Sequence, residues 1–288
     1  YGEKWGRHWL DLVRYAETNG YERDNPKPQV WRYRDYVIRS FNQGKPYDQF
    51  LREQLAGDEL VGYSPTGDVT PAMIDSLVAT HFLRNAPDPS TTGGGDAAML
   101  GNQVMTDTIK IVGSSLYGLT IACAQCHDHP LADWTQRDFY QMAAFFGATD
   151  GKDEAIGSAI KKAVRADSSL PKAAVLKIEQ MNTFRMEDSD KQKLTFPKDY
   201  KYKDAKPNSP VSPALIHWEK SDRSLPAYAI DVTKPAQLRN HFSQWMTSPQ
   251  NPRFAANITN RLWKKAFGLA VQEPVDDIDV YSEASNPA

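Results

Sequence analysis

The chain of 288 residues holds two cysteines, three positions apart: Cys123-Ala124-Gln125-Cys126, with His127 directly after the second. Two thiols at that spacing reach the two vinyl groups of one porphyrin, and an imidazole in the next position can turn under the iron. The pattern C-x-x-C-H is the signature of covalent c-type haem attachment. Chance placement of these three residues in that pattern is on the order of 1 in 10⁴, so the competing readings are chemical. A structural zinc ion would need two more ligands, from His127, His129 or distant histidines and carboxylates. A thiol redox pair normally sits beside a βαβ pattern. The spacing therefore predicts one covalent haem c, bound through Cys123 and Cys126, with His127 as the proximal iron ligand.

His8 is the first candidate for the sixth iron position. It falls on the apolar side of an amphipathic pattern, between Trp5 and Trp9, whose rings can pack on a porphyrin. A lone histidine on such a face is also an ordinary core residue satisfied by a hydrogen bond. His81 is the second candidate. Met99 and Met105 precede the motif on one helical segment, although methionines at that spacing usually belong to a core. Asp128 can hold the His127 ring at the nitrogen opposite the iron, or cap a helix. Arg7 and Arg14 can pair with propionates or belong to a solvated face. Trp5, Trp9, Trp31, Tyr33 and Tyr36 suit a core and a haem wall alike. Should the sixth position stay open, His8, Asp11 or His129 would act as acid or base.

The elements that must position these residues read as helices. Trp5, His8, Trp9, Leu12, Val13 and Ala16 recur at helical spacing, with Gly20 just past the end. A second stripe runs from about Val30 through Tyr33, Val37, Ile38 and Phe41, stopped by Gly44 and Pro46. A third starts at Pro46, carries Phe50, Leu51, Gln54 and Leu55, and has Gly57 as its expected terminator. Ile74, Leu77, Val78, His81 and Phe82 make a fourth. The stretch 85–95, with two prolines and three consecutive glycines, is loop chemistry. After it, Met105, Ile109, Val112, Leu116 and Leu119 describe a helix that delivers the chain to Cys123. Phe139, Met142, Ala143 and Phe146 continue the pattern up to Gly147.

From about Asp150 to Pro213 the chain is polar and lysine-rich, with four prolines after Phe196, and reads as an insert or linker. Asn251-Pro252 resembles a helix N-cap followed by proline at the first helical position, with Phe254, Ile258, Leu262 and Trp263 as the apolar face. Residues 227–232 fit one short strand. The fold expected is mainly α: a helical domain over 1–149 enclosing the haem, a polar insert over 150–224, and the start of a second helical domain over 225–288.

With 40% hydrophobic residues and a net charge of −2, the chain can bury a core and has no electrostatic footprint for nucleic acid or an anionic membrane. No run approaches the ~20 apolar residues of a membrane span, so no membrane insertion is expected. Two cysteines in this length exclude a disulfide-stapled scaffold.

The wording YGEKWGRHWLDLVRYAETNGYE, then WRYRDYVIRSFNQGKPYDQFLREQLAGDEL, resembles the opening of the planctomycete cytochrome-associated domain of unknown function. GLTIACAQCHDHPLADWTQRDFYQMAAFF resembles the same domain's C-x-x-C-H-D-H segment, with Pro130 where a basic residue is expected. NPRFAANITNRLWKKAFGLAVQEPVDD is similar to the start of the second planctomycete-specific domain that usually follows. The resemblance implies a large exported protein, so a periplasmic or extracellular location. It leaves the biochemical role unassigned. Together with the haem motif, the expectation is an exported monohaem electron-transfer protein working with a redox partner protein. The alternatives are a haem-dependent oxidoreductase with an open axial site, which leaves enzymatic activity undecided, and a surface-assembly module with a structural haem.

Overall fold

A computed structural model describes residues 1–20, 24, 26–27, 30–63, 70–87, 97–130, 132, 134–150, 166, 187–188, 193–216, 231 and 233–279. The expected glycine-rich loop beyond residue 87, most of the 150–192 stretch and the strand expected at 227–232, residue 231 apart, lie outside these. The described fold is mainly helical. It forms two compact units that interleave in sequence: residues 1–94 with 148–192, and residues 95–147 with 193–288.

In the first unit the helices are α1 Gly2–Leu12, α2 Trp31–Asn42, α3 Tyr47–Leu60 and α4 Ile74–Ala79, followed by a 3₁₀ turn, Thr80–Arg84. A two-residue antiparallel pair, β1 Thr149–Asp150 with β2 Glu187–Asp188, completes it. Trp9, Val13, Tyr33, Val37, Phe50, Leu51 and Leu55 of the first three stripes, with Tyr36, form the core, whereas Ile74 of the fourth stripe is exposed. Its polar atoms are paired with one another, as burial demands. Trp9 Nε1 donates to Gln54 Oε1 at 3.0 Å, Tyr33 OH donates to the same oxygen, and Tyr36 OH donates to Glu53, which also pairs with Lys45.

Two boundaries differ from expectation. α1 stops well before Gly20, because Arg14 takes a left-handed φ of 60° and the Tyr15 N–H turns back to Leu10 O at 2.8 Å. α3 runs past Gly57 to Leu60, with a break at Ala56. Gly57 serves packing instead of termination: a Cβ there would stand 2.0 Å from Ser76 O. Only glycine lets α3 and α4 approach that closely.

The second unit begins with α5, Ala97–Ile111, which widens into a π-helical turn over Val112–Tyr117 and ends at Gly118 in the left-handed conformation. The expected stripe of Met105, Ile109, Val112 and Leu116 is buried, but the helix does not carry the chain to Cys123. A separate 3₁₀ turn, Ala122–Gln125, does so. α6 spans Gln136–Ala143 behind a capping box, in which Thr135 and Asp138 satisfy each other's backbone N–H groups. α7 spans Leu238–Met246, and α8 spans Pro252–Phe267 with Asn251 as its N-cap and Pro252 in its first turn, as the sequence predicts.

The buried face of α8 is not the apolar stripe. Arg253, Asn257 and Asn260 are buried, whereas Leu262 is 47% exposed. A helix end leaves its last carbonyls without partners, and α8 supplies them to the π turn. Arg253 Nη1 donates to Gly118 O at 3.2 Å and to Ile278 O at 2.6 Å, Asn257 Nδ2 to Ser115 O at 3.2 Å, and Arg261 Nη2 to Ser114 O at 2.5 Å. Residues 193–216, read from composition as part of a linker, are packed. Phe196 and Val211 make backbone hydrogen bonds across a loop closed by the Thr195–Pro210 bridge, and Leu194, Phe196 and Tyr200 are buried. The aromatic side chains among the lysines do this: Phe196 lies between the rings of Tyr140 and Tyr200.

Candidate functional site

Gly118 turns the chain out of the π turn, and Ile121 and Ala124 bury themselves on either side of Cys123. The 3₁₀ turn between them points Cys123 and Cys126 outward, and both thiols are free and exposed. The turn is held through its backbone carbonyl at Gln125. Gln136 Nε2 and Tyr140 OH, from α6, donate to Gln125 O at 2.9 and 3.3 Å. Tyr140 is 5% exposed; burial first, then the neighbouring Cys126 and Asp199, push its phenol up to about 12.

His127 is exposed, and its Nδ1 lies 2.7 Å from Asp128 O. A carbonyl only accepts, so the ring proton of neutral His127 sits on Nδ1 and the Nε2 lone pair is left for a metal. Of the two roles weighed for Asp128, its carbonyl holds the ring and its carboxylate caps α6, accepting from Gln136 N–H at 2.8 Å. His129 is set the other way. Its Nδ1 accepts from Ala132 N–H at 3.0 Å, which places the proton of the neutral ring on Nε2. The motif thus offers one imidazole lone pair outward, from His127.

The other residues singled out from the sequence are placed as follows. His8 is half-buried on α1 and edge-on to Trp5, ring centroids 5.8 Å apart; it belongs to the first unit and the motif to the second. His81 is buried on its 3₁₀ turn, Met105 is buried, and Met99 is exposed. Arg7, Asp11 and Arg14 are exposed. Trp9, Tyr33 and Tyr36 are core, and Trp31 is largely outside it.

Sequence reasoning missed Gln136, Tyr140 and Tyr202. The Tyr202 hydroxyl accepts from Asp128 N–H at 2.8 Å, so the packed 193–216 segment touches the motif next to its histidine. The aromatic residues recurring among lysines were the available signal, since a linker has no use for them.

The donor set suits a c-type haem: two exposed thiols three residues apart, and an imidazole whose Nε2 is unencumbered on the same turn. The enclosing slot is another matter. The apolar cavity lined by Ile109, Val112, Tyr117, Leu119, Ile121 and Met142 has room for about one water, ≈10 Å³, and is a packing void. Among the described residues no group of three His, Cys, Asp or Glu side chains is arranged to hold a metal ion, so the zinc reading gains no further ligands there. No described helix is long and apolar enough to cross a membrane.

The family model PSCyt2, described as a protein of unknown function (DUF1549), matches residues 1–151, and PSD1, a protein of unknown function (DUF1553), matches residues 238–288. No curated protein and no solved structure matches the chain. The two matches are the two planctomycete-type domains in the order that the sequence resemblance implies. With just over half of its length matched by the first model, the chain belongs to the PSCyt2 family of proteins of unknown function.

Proposed function

We propose that the chain is an exported monohaem c-type cytochrome of electron transfer. Its haem would be held through Cys123 and Cys126, with His127 Nε2 and His8 as the residues that would ligate the iron. What carries the reading is the turn itself: both thiols are exposed three residues apart, and Asp128 O fixes the His127 proton on Nδ1. When bound, the haem supplies a one-electron iron couple whose potential follows ligation and burial. The chain's own residues hold and orient it. Gln136 and Tyr140 fix the turn at Gln125 O, and the Asp128 carboxylate ties the histidine's neighbour to α6. The enclosing helical slot and a periplasmic or extracellular location, where c-type haem is attached, belong to the same proposal.

The test is intact mass and pyridine haemochrome spectroscopy of protein made in a host with haem-attachment machinery. The mass is expected to exceed the polypeptide by one haem, and Cys123→Ala with Cys126→Ala to abolish the difference. A mass equal to the polypeptide alone overturns the proposal. The oxidised protein is expected to be low-spin and His8→Ala high-spin with the haem retained; a high-spin, cyanide-responsive parent would instead support a haem enzyme.

A further inference from the structure

Residues 193–206 carry five lysines against two aspartates, in a chain whose net charge is −2. Lys193, Lys198, Lys201, Lys203 and Lys206 are all exposed, and none is paired with an acid among the described residues. Of the two aspartates, Asp204 is engaged internally: it accepts from Tyr200 OH at 2.9 Å and pairs with Arg137 at 3.5 Å. The positive charge of the segment is therefore left facing solvent.

The segment is also fixed in place. Phe196 N–H donates to Ser209 O and Asn208 N–H to Phe196 O, both at 3.0 Å. Asn102 Nδ2 anchors Thr195 Oγ1 at 3.1 Å, and Phe196 and Tyr200 bury the underside. The point of attachment to the motif is Tyr202, whose hydroxyl accepts from Asp128 N–H. Lys201 and Lys203 are the chain neighbours of that tyrosine, and Asp128 is the chain neighbour of His127. A cationic strap, anchored by its own hydrogen bonds, is thus tied to Asp128, the residue that follows His127.

We infer that this strap is a docking face for a carboxylate-rich patch on a partner protein, seated next to the Cys123–His127 turn. Its purpose rests on the electron-transfer reading; its chemistry does not. Exposed, unpaired charges at the rim of a site act on encounter rate and orientation, the behaviour a transient partner needs. Lysines present hydrated point charges, without the bidentate forks that arginines offer to phosphate or sulfate groups. Asp199, exposed among the lysines, interrupts the positive run and suits discrete carboxylates on a protein surface better than a uniform polyanion.

The test uses the full chain, loaded with haem and separately as the haem-free Cys123→Ala/Cys126→Ala variant. The probe is a glutamate-rich peptide with Ser-Gly spacers, with its glutamine counterpart and dextran sulfate as controls. Both forms of the chain are expected to bind the glutamate peptide and not the glutamine one, more weakly as salt rises. Lys198→Gln, Lys201→Gln, Lys203→Gln and Lys206→Gln together, in a variant shown by circular dichroism to stay helical, are expected to weaken binding by about tenfold or more. Lys4→Gln with Lys234→Gln should leave it unchanged. Binding that survives the fourfold substitution overturns the inference, as does dextran sulfate binding more tightly than the peptide. Because the haem-free chain carries the same strap, failure here is distinct from failure of haem attachment, which the intact mass reports.

Discussion

His127 and His129 are two residues apart, both beside the cysteines, and equally plausible as ligands by type. What separates them is which backbone group each ring meets: an acceptor, Asp128 O, for His127 and a donor, Ala132 N–H, for His129. Long-range ¹H–¹⁵N spectra of the haem-free protein should place the neutral-ring proton on Nδ1 of His127 and on Nε2 of His129. The reverse assignment would remove the geometric support for His127 and leave it the spacing alone. A second residue-scale expectation concerns Tyr140, whose phenol burial raises to about 12 from 10.0. The neutral phenol is the form the fold holds, so its contribution to stability is complete below pH 10 and is lost as the pH climbs from 10 to about 12. Tyr140→Phe should lower the pH dependence of unfolding in that window by about one proton, measured by urea melts of parent and variant across it. An identical slope in both proteins would mean that this phenol titrates normally.

Among the elements, the π turn and α8 depend on each other most directly. Gly118 has a φ of +59°, and a Cβ there would stand 2.9 Å from both Asn257 Oδ1 and Ile278 Cγ1. Gly118→Ala should therefore destabilise the second unit by about 2 kcal/mol or more, since the left-handed conformation alone costs about 1–2. Arg253→Met keeps the volume but strips donors from Gly118 O and Ile278 O, for a loss of about 3 kcal/mol. Denaturant melts followed by tryptophan fluorescence, sensitive to Trp245 against Tyr117, check both; a loss below about 0.5 kcal/mol for either would show that the carbonyls find other partners. This pairing also marks the limit of what the sequence could convey. The cap of α8 was legible because its signal is local: the Asn251 side chain and the N–H two residues on. The buried polar face of α8 was not, because Arg253, Asn257 and Arg261 answer carbonyls more than 130 positions away. The apolar stripe of α8 was real but overridden by those carbonyls. The haem motif was legible by spacing alone, whereas the tyrosine that touches it lies 74 positions on, inside a stretch that composition describes as linker.

At the scale of the whole molecule, the two family matches do not correspond to the two compact units. The second unit is assembled from residues 95–147, within the PSCyt2 match, and residues 193–288, which include the PSD1 match. Its core is shared between them: Phe145 and Phe146 pack on Phe242, and Tyr117 on Trp245, with ring centroids 5.1 to 5.4 Å apart. The carbonyls of Ser114, Ser115 and Gly118 have donors from α8, and the Thr120 N–H and hydroxyl have acceptors from Asp277 and Asp276. The segment that carries Cys123 and Cys126 should thus lack a complete core and helix cap without the PSD1 portion. Within the first unit the faces of α1 to α4 are buried by one another. Ending the chain after residue 237 should accordingly abolish amide-exchange protection over residues 109–146 while leaving α1, α2 and α3 protected. Hydrogen exchange read by mass spectrometry on the full and shortened chains decides it. Unchanged protection across the cysteine motif in the shortened chain would mean that residues 95–147 and 193–237 fold without it. Loss of protection in both units would mean instead that the first depends on the second.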